Sequence, residues 1–115
     1  MVEPTPFRRP IRWESLRADE AERVIRKRAA DTSNVIFGDH AFDRIEDRSI
    51  TTVDALRILR KGFVQAASLQ KNIDGEWEAI VEKRMPGGRE AAVVTIVFRE
   101  TDKLFVKTVM WLDVS

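Results

Sequence analysis

His40, Arg44 and Arg48 stand four residues apart in the segment DHAFDRIEDRSITTVDALRILRKG, residues 39 to 62, and His40 is the only histidine of the chain. On a helix this spacing lays the three side chains along one stripe. An imidazole beside two guanidinium groups can form an anion site: a ring that accepts a proton, and planar forks that take phosphate oxygens in pairs. A first-turn histidine also sits at the positive end of the helix dipole, which favours the neutral, proton-accepting ring. Asp39, Asp43 and Asp47 form a second stripe alongside. Like charges at that spacing repel by roughly 0.2–0.5 kcal/mol, whereas His40 with Asp43 and Arg44 with Asp47 fall at the attractive three-residue spacing. The same residues therefore also read as a solvated ladder of ion pairs, with Asp39 as a helix cap that competes with phosphate for the amide donors.

Composition narrows the chemistry. With one histidine, mechanisms that need a histidine pair are excluded, as are zinc sites of the His-x-x-x-His type. With no cysteine there is no thiolate nucleophile, no disulfide and no cysteine-bound zinc, which agrees with a reducing compartment. A metal site would have to be built mostly from carboxylates; none is expected, and no cofactor. Lys and Arg number 20 against 19 Asp and Glu, a net charge of +1, so any hold on nucleic acid must come from a local patch. No apolar run approaches the ~20 residues of a bilayer crossing, and MVEPTPFRRPIRW lacks a secretory apolar core. The expectation is a soluble cytoplasmic protein.

At 115 residues the chain is long enough for one domain with its own core. Residues 1–12, with three prolines and with Arg8, Arg9 and Arg12, read as a basic arm, and 13–115 as a single α+β domain. Residues 14–31 predict an amphipathic helix, capped by Ser15 or Asp19, whose basic residues gather in the last turns. Val35 to Phe37 read as a short strand or as the seat of the next helix, with Ala41, Phe42 and Ile45 its buried side. Thr51 with Asp54 makes a capping box that opens a third helix ending at Gly62. From Phe63 the hydrophobic period changes to two. Val64 to Gln70, the strand from Trp77, Glu90 to Arg99 and Leu104 to Leu112 predict four strands, with turns at Asp74-Gly75, Pro86-Gly87-Gly88 and Thr101-Asp102. In the last strand Leu104, Val106, Thr108, Met110 and Leu112 alternate with Phe105, Lys107, Val109 and Trp111. Two to three N-terminal helices packed on a four-stranded antiparallel sheet is the expected architecture.

The pattern His-Ala-x-x-Arg-x-x-x-Arg-x-Ile-x-x-x-Asp from His40 to Asp54, the helix ending in Gly62 and the meander that follows resemble a bacterial domain akin to the RelE, BrnT and MqsR type of toxin. The resemblance covers about residues 35–112. Trp77-Glu78, Ile80-Val81, Pro86-Gly87-Gly88 and the last two strands resemble the second half of MqsR in particular. It implies a metal-independent endoribonuclease, neutralised by a cognate antitoxin, in which the ribose 2′-hydroxyl attacks the adjacent phosphate. His40 would then be base or acid, Arg44 and Arg48 would hold the phosphate, and Lys83, Arg84 or Lys107 would supply a further cation. Glu78 is an alternative base. The chain has no tyrosine where MqsR uses one, and Glu78 stands where MqsR carries an amide.

A second function of the same fold is a non-enzymatic module, a decayed toxin or a protein-binding domain, that pairs through its sheet with Trp77, Met110 and Trp111 as anchors. Under that reading Glu78 and Glu82 are a polar sheet face, and Lys83, Arg84 and Lys107 solubilising charges. Whether His40, Arg44 and Arg48 face an open concavity or are saturated by neighbours separates the two.

Overall fold

The computed structural model describes residues 11–112. Residues 1–10 of the basic arm, Arg8 and Arg9 among them, lie outside the described residues, but Ile11 and Arg12 belong to the fold, with Arg12 heading a 3₁₀ turn over Trp13–Ser15. Three helices follow: α1 (Ala18–Ala29), α2 (Asp39–Arg48) and α3 (Thr52–Lys61). The strands are β1 (Val35–Phe37), β2 (Phe63–Val64), β3 (Gln70–Lys71), β4 (Trp77–Arg84), β5 (Glu90–Val97) and β6 (Leu104–Trp111). The class is α+β, with three helices packed on a mixed sheet. Its strand order is β1-β6-β5-β4-β2, with β3 also paired to β4.

Three features depart from the expected four-stranded meander. The stretch after α3 is not one strand, because a 3₁₀ turn over Ala66–Ser68 divides it into β2 and β3, both paired antiparallel to β4. Strand β1 pairs parallel with β6, Val35 opposite Leu104 and Phe37 opposite Val106, and this turns the antiparallel meander into a mixed sheet. The third departure is a bulge. Thr95 stands opposite Val106 and Val94 opposite Thr108, so Lys107 is an extra residue on β6. Beyond it the alternation changes phase, and Val106 and Val109 are both fully buried. The buried Thr95 hydroxyl donates to Phe105 O at 3.1 Å, giving a carbonyl beside the bulge a partner.

The helices cover one face of the sheet. Ile25 and Ala29 of α1, Ala41 of α2 and Ile58 and Leu59 of α3 share a core with Val81, Val93, Val97, Leu104, Val106 and Val109. Helix α1 begins with the Arg17 amide donating to Glu20 Oε1, rather than with Ser15 or Asp19 as its cap. Helix α3 carries the reciprocal Thr51–Asp54 capping box that its sequence predicts. The two helices cap each other at their other ends. Arg26 of α1 donates to Gly62 O at 2.6 Å, and Arg60 of α3 donates to Ala29 O at 2.6 Å, so each guanidinium meets the negative end of the neighbouring helix.

Candidate functional site

Helix α2 is held to one edge of the sheet. Strand β1 ends opposite Val106, and α2 runs along the remainder of β6, where no strand follows. The Gly38 amide, the cap of α2, donates to Val106 O at 3.0 Å and so fixes the start of the helix beside Lys107. At the other end Arg48 Nη1 donates to Val109 O at 2.6 Å and the Trp111 indole donates to Arg48 O at 2.6 Å. One expectation is corrected here: Asp39 is the first helical residue and not the cap. Arg48 is engaged by the β6 edge through Nη1, because an edge carbonyl without a strand neighbour needs a donor.

His40 and Arg44 lie on the exposed side of α2, with Arg44 Nε donating to His40 Nε2 at 3.3 Å. Arg44 also stands 3.8 Å from Asp47, the three-residue pair its spacing predicts. The direction of this flank follows from the helix period. Phe42, expected in the core, is 51% exposed and packs its ring 5.7 Å from that of Phe37, on the helix-covered side of the sheet. His40 is about 200° from Phe42 around the helix, so it and Arg44 turn toward the opposite, uncovered side. The shallow depression at these residues is lined by α2 alone, and Asp43, Glu46 and Asp47 outnumber its cations. By itself it is not an anion site.

Uncovered by any helix, the other face of the sheet carries Glu78, Ile80 and Glu82 of β4, Ala92, Val94 and Ile96 of β5, and Phe105, Thr108 and Met110 of β6. Ile36 and Phe63 extend it at either side, 44% and 50% exposed. In its middle Lys107, from the bulge, reaches over β5 and places Nζ 2.7 Å from Glu78 Oε1. That approach lies off the line of a hydrogen bond, so the buried Oε1 has charge compensation but no directed donor.

The predicted site residues therefore divide. Lys107 and Glu78 meet on the uncovered face, and His40 and Arg44 meet on α2, which packs along β6. Lys83, whose ammonium donates to Arg84 O, and Arg84 sit at the far end of β4 next to Glu90, with β5 between them and β6. Arg48 is tied to the β6 edge by Nη1. Trp77 and Trp111, weighed as partner anchors, pack against the core instead, and the Trp77 indole donates to Trp13 O at 2.5 Å. Sequence reasoning missed the bulge that delivers Lys107, and the one local sign of it is a charged residue in a strand that is apolar but for Thr108. Among the described residues no group of three or more His, Asp or Glu is placed to hold a metal ion, and no helix is long and apolar enough to cross a membrane. Compared with protein-family models, curated proteins and solved structures, the chain gives no match.

Proposed function

We propose that the protein is a metal-independent endoribonuclease of the toxin type, working on the uncovered sheet face where it meets the start of α2. The observation that carries this reading is the bulge at Lys107, which brings a lysine onto the uncovered face, 2.7 Å from Glu78 Oε1, on the strand along which the helix bearing His40 and Arg44 packs. Bulges commonly re-aim side chains next to active sites.

Glu78 Oε1, without a directed donor, takes the proton of the ribose 2′-hydroxyl as that oxygen attacks phosphorus. The bond from phosphorus to the 5′ oxygen breaks, and His40, protonated from solvent once Arg44 has left its Nε2, gives that oxygen a proton. The products are a 2′,3′-cyclic phosphate and a 5′-hydroxyl. Arg44 and Lys107 neutralise the phosphorane. In the free protein Arg44 donates to His40, and a phosphate is the stronger acceptor, so its arrival draws the guanidinium off the ring. A cognate antitoxin would silence such an enzyme by covering this face, as the resemblance to RelE-like toxins implies.

Induced expression in a bacterial host tests the reading, with growth and total RNA followed for the native chain and for His40→Ala, Glu78→Gln and Arg44→Ala at matched protein levels. Arrest with RNA cleavage that is lost in the variants, and cyclic phosphate ends from purified protein in the presence of a chelator, are the expected results. Intact RNA and normal growth under the native chain would overturn it. The apolar character of the same face, with Ile36 and Phe63 exposed, favours the second reading, a module that docks a protein on its sheet. In that case the native chain accumulates harmlessly.

A further inference from the structure

A cleft of about 450 Å³ opens on the helix side of the molecule, between α1, the segment leading into it and the turn joining β5 to β6. Its size falls within the ~300–1,000 Å³ typical of small-molecule sites. One wall is apolar, made by Ile11, Trp13 and Val24. Three cations of α1 make the other: Arg23, Lys27 and Arg28. The four-residue step from Arg23 to Lys27, with Arg28 one position on, brings them onto one flank of the helix.

Arg28 is the distinctive member. It is only 9% exposed, and it is held by Nη1 alone, which donates to Phe98 O at 2.7 Å and to Lys103 O at 3.1 Å. Among the described residues its Nε and Nη2 have no hydrogen-bond partner. A buried guanidinium, fixed by two backbone carbonyls and with donors left over, is a pre-oriented anion receptor. Burial lowers its pKa from the ordinary arginine value, the desolvation being offset in part by Asp102 and Glu76. Arg23 and Lys27 are exposed and have no partner among the described residues, so with Asp102 counted the cleft keeps an excess of positive charge. The Trp13 ring lies 5.7 Å below the Arg28 guanidinium, placing a flat apolar surface against the cationic wall.

We propose that this cleft binds a small anion attached to a flat apolar body, the anionic group on Arg28, Arg23 and Lys27 and the body against Trp13 and Val24. The cleft lies across the sheet from Glu78 and Lys107, and the inference does not rest on the ribonuclease reading. Its ligand would be an aryl phosphate or a compound of that chemistry.

The test uses the full chain and three probes: 1-naphthyl phosphate, 1-naphthol and inorganic phosphate. Saturable shifts of the Trp13 indole N–H and the Arg28 Nε–H signals are expected with 1-naphthyl phosphate, at least tenfold weaker binding of inorganic phosphate, and no saturation with 1-naphthol. The double substitution Arg23→Ala/Lys27→Ala, at exposed positions that support no packing, should weaken 1-naphthyl phosphate at least tenfold while leaving the fold and any RNA cleavage unchanged. No saturable shift, equal affinity for inorganic phosphate, or binding indifferent to the double substitution would each overturn the proposal.

Discussion

Replacing Arg48 by alanine separates structure from chemistry on α2. The native guanidinium makes a 2.6 Å bond to Val109 O, a carbonyl on the β6 edge past the end of β1. A hydrogen bond with one charged partner contributes about 1.5–3 kcal/mol net, and the partial exposure of Arg48 places the expected loss near the lower end, about 1.5–2 kcal/mol. With a urea dependence of about 1–3 kcal/mol per molar, the unfolding midpoint should fall by roughly 1 M. Arg44→Ala is the control. Its pair with Asp47 is 3.8 Å long, with Arg44 partly and Asp47 well exposed, and such pairs contribute ~0–1 kcal/mol, so its midpoint should hardly move. Urea unfolding of the two variants and of Arg48→Lys, which keeps one donor and should recover part of the loss, makes the comparison. Native stability in Arg48→Ala, or an equal loss in Arg44→Ala, would refute the assignment of Arg48 to the β6 edge.

Other perturbations follow from the same geometry. A Cβ at Gly62 would stand 2.6 Å from both Glu82 O and Ile58 O, whereas one at Gly38 would meet first the tip of the Phe105 ring. Thermal unfolding should therefore show Gly62→Ala losing stability by about 1–3 kcal/mol or more, and Gly38→Ala by clearly less, because a ring can turn and a backbone carbonyl cannot. Thr95→Val removes the hydroxyl that serves Phe105 O; a loss of about 1–3 kcal/mol is expected from chemical unfolding, since the carbonyl next to the bulge keeps its burial and loses a donor. The Asp31 carboxyl should titrate below its ordinary 3.8, held down first by the Ser33 hydroxyl at 2.7 Å and then by the Ser33 amide at 3.0 Å. A depressed folded value means that its contribution to stability is present above the unfolded pKa and lost as pH falls through the folded one. Carboxyl-carbon NMR should show the midpoint rise in Ser33→Ala; a native midpoint at or above 3.8 would contradict the assignment.

Local signals were the legible part of the fold. The capping box at Thr51 and Asp54 and the stop at Gly62 mark α3 because caps are satisfied within a few residues. The turns at Gly75, Gly87 and Gly88 are legible for a similar reason: each has a positive φ, which glycine adopts without strain. What the sequence hid is non-local. Pairing of Val35 with Leu104 joins segments with no shared pattern, and three apolar residues before a glycine fit a strand or a helix seat equally well. Arg48 is hidden in the same way, since helical spacing reports which residues share a stripe and not which of them meets a carbonyl from the far end of the chain.

The bulge ties these failures to the site. A strict period of two through β6 would put Val106 and Val109 on opposite faces; both are fully buried, and the extra residue that reconciles them is Lys107. Its ammonium consequently emerges on the uncovered face and reaches Glu78 across β5. Without the bulge, either Val109 or Val106 would lose its place in the core, a burial of about 1.5–3 kcal/mol for one such side chain. The core thus enforces the irregularity, and the irregularity sets Lys107 against Glu78 on the uncovered face. A site positioned by packing in this way should tolerate changes at exposed Asp43 and Glu46 and respond sharply to changes at Thr95, whose hydroxyl braces the strand where its phase changes.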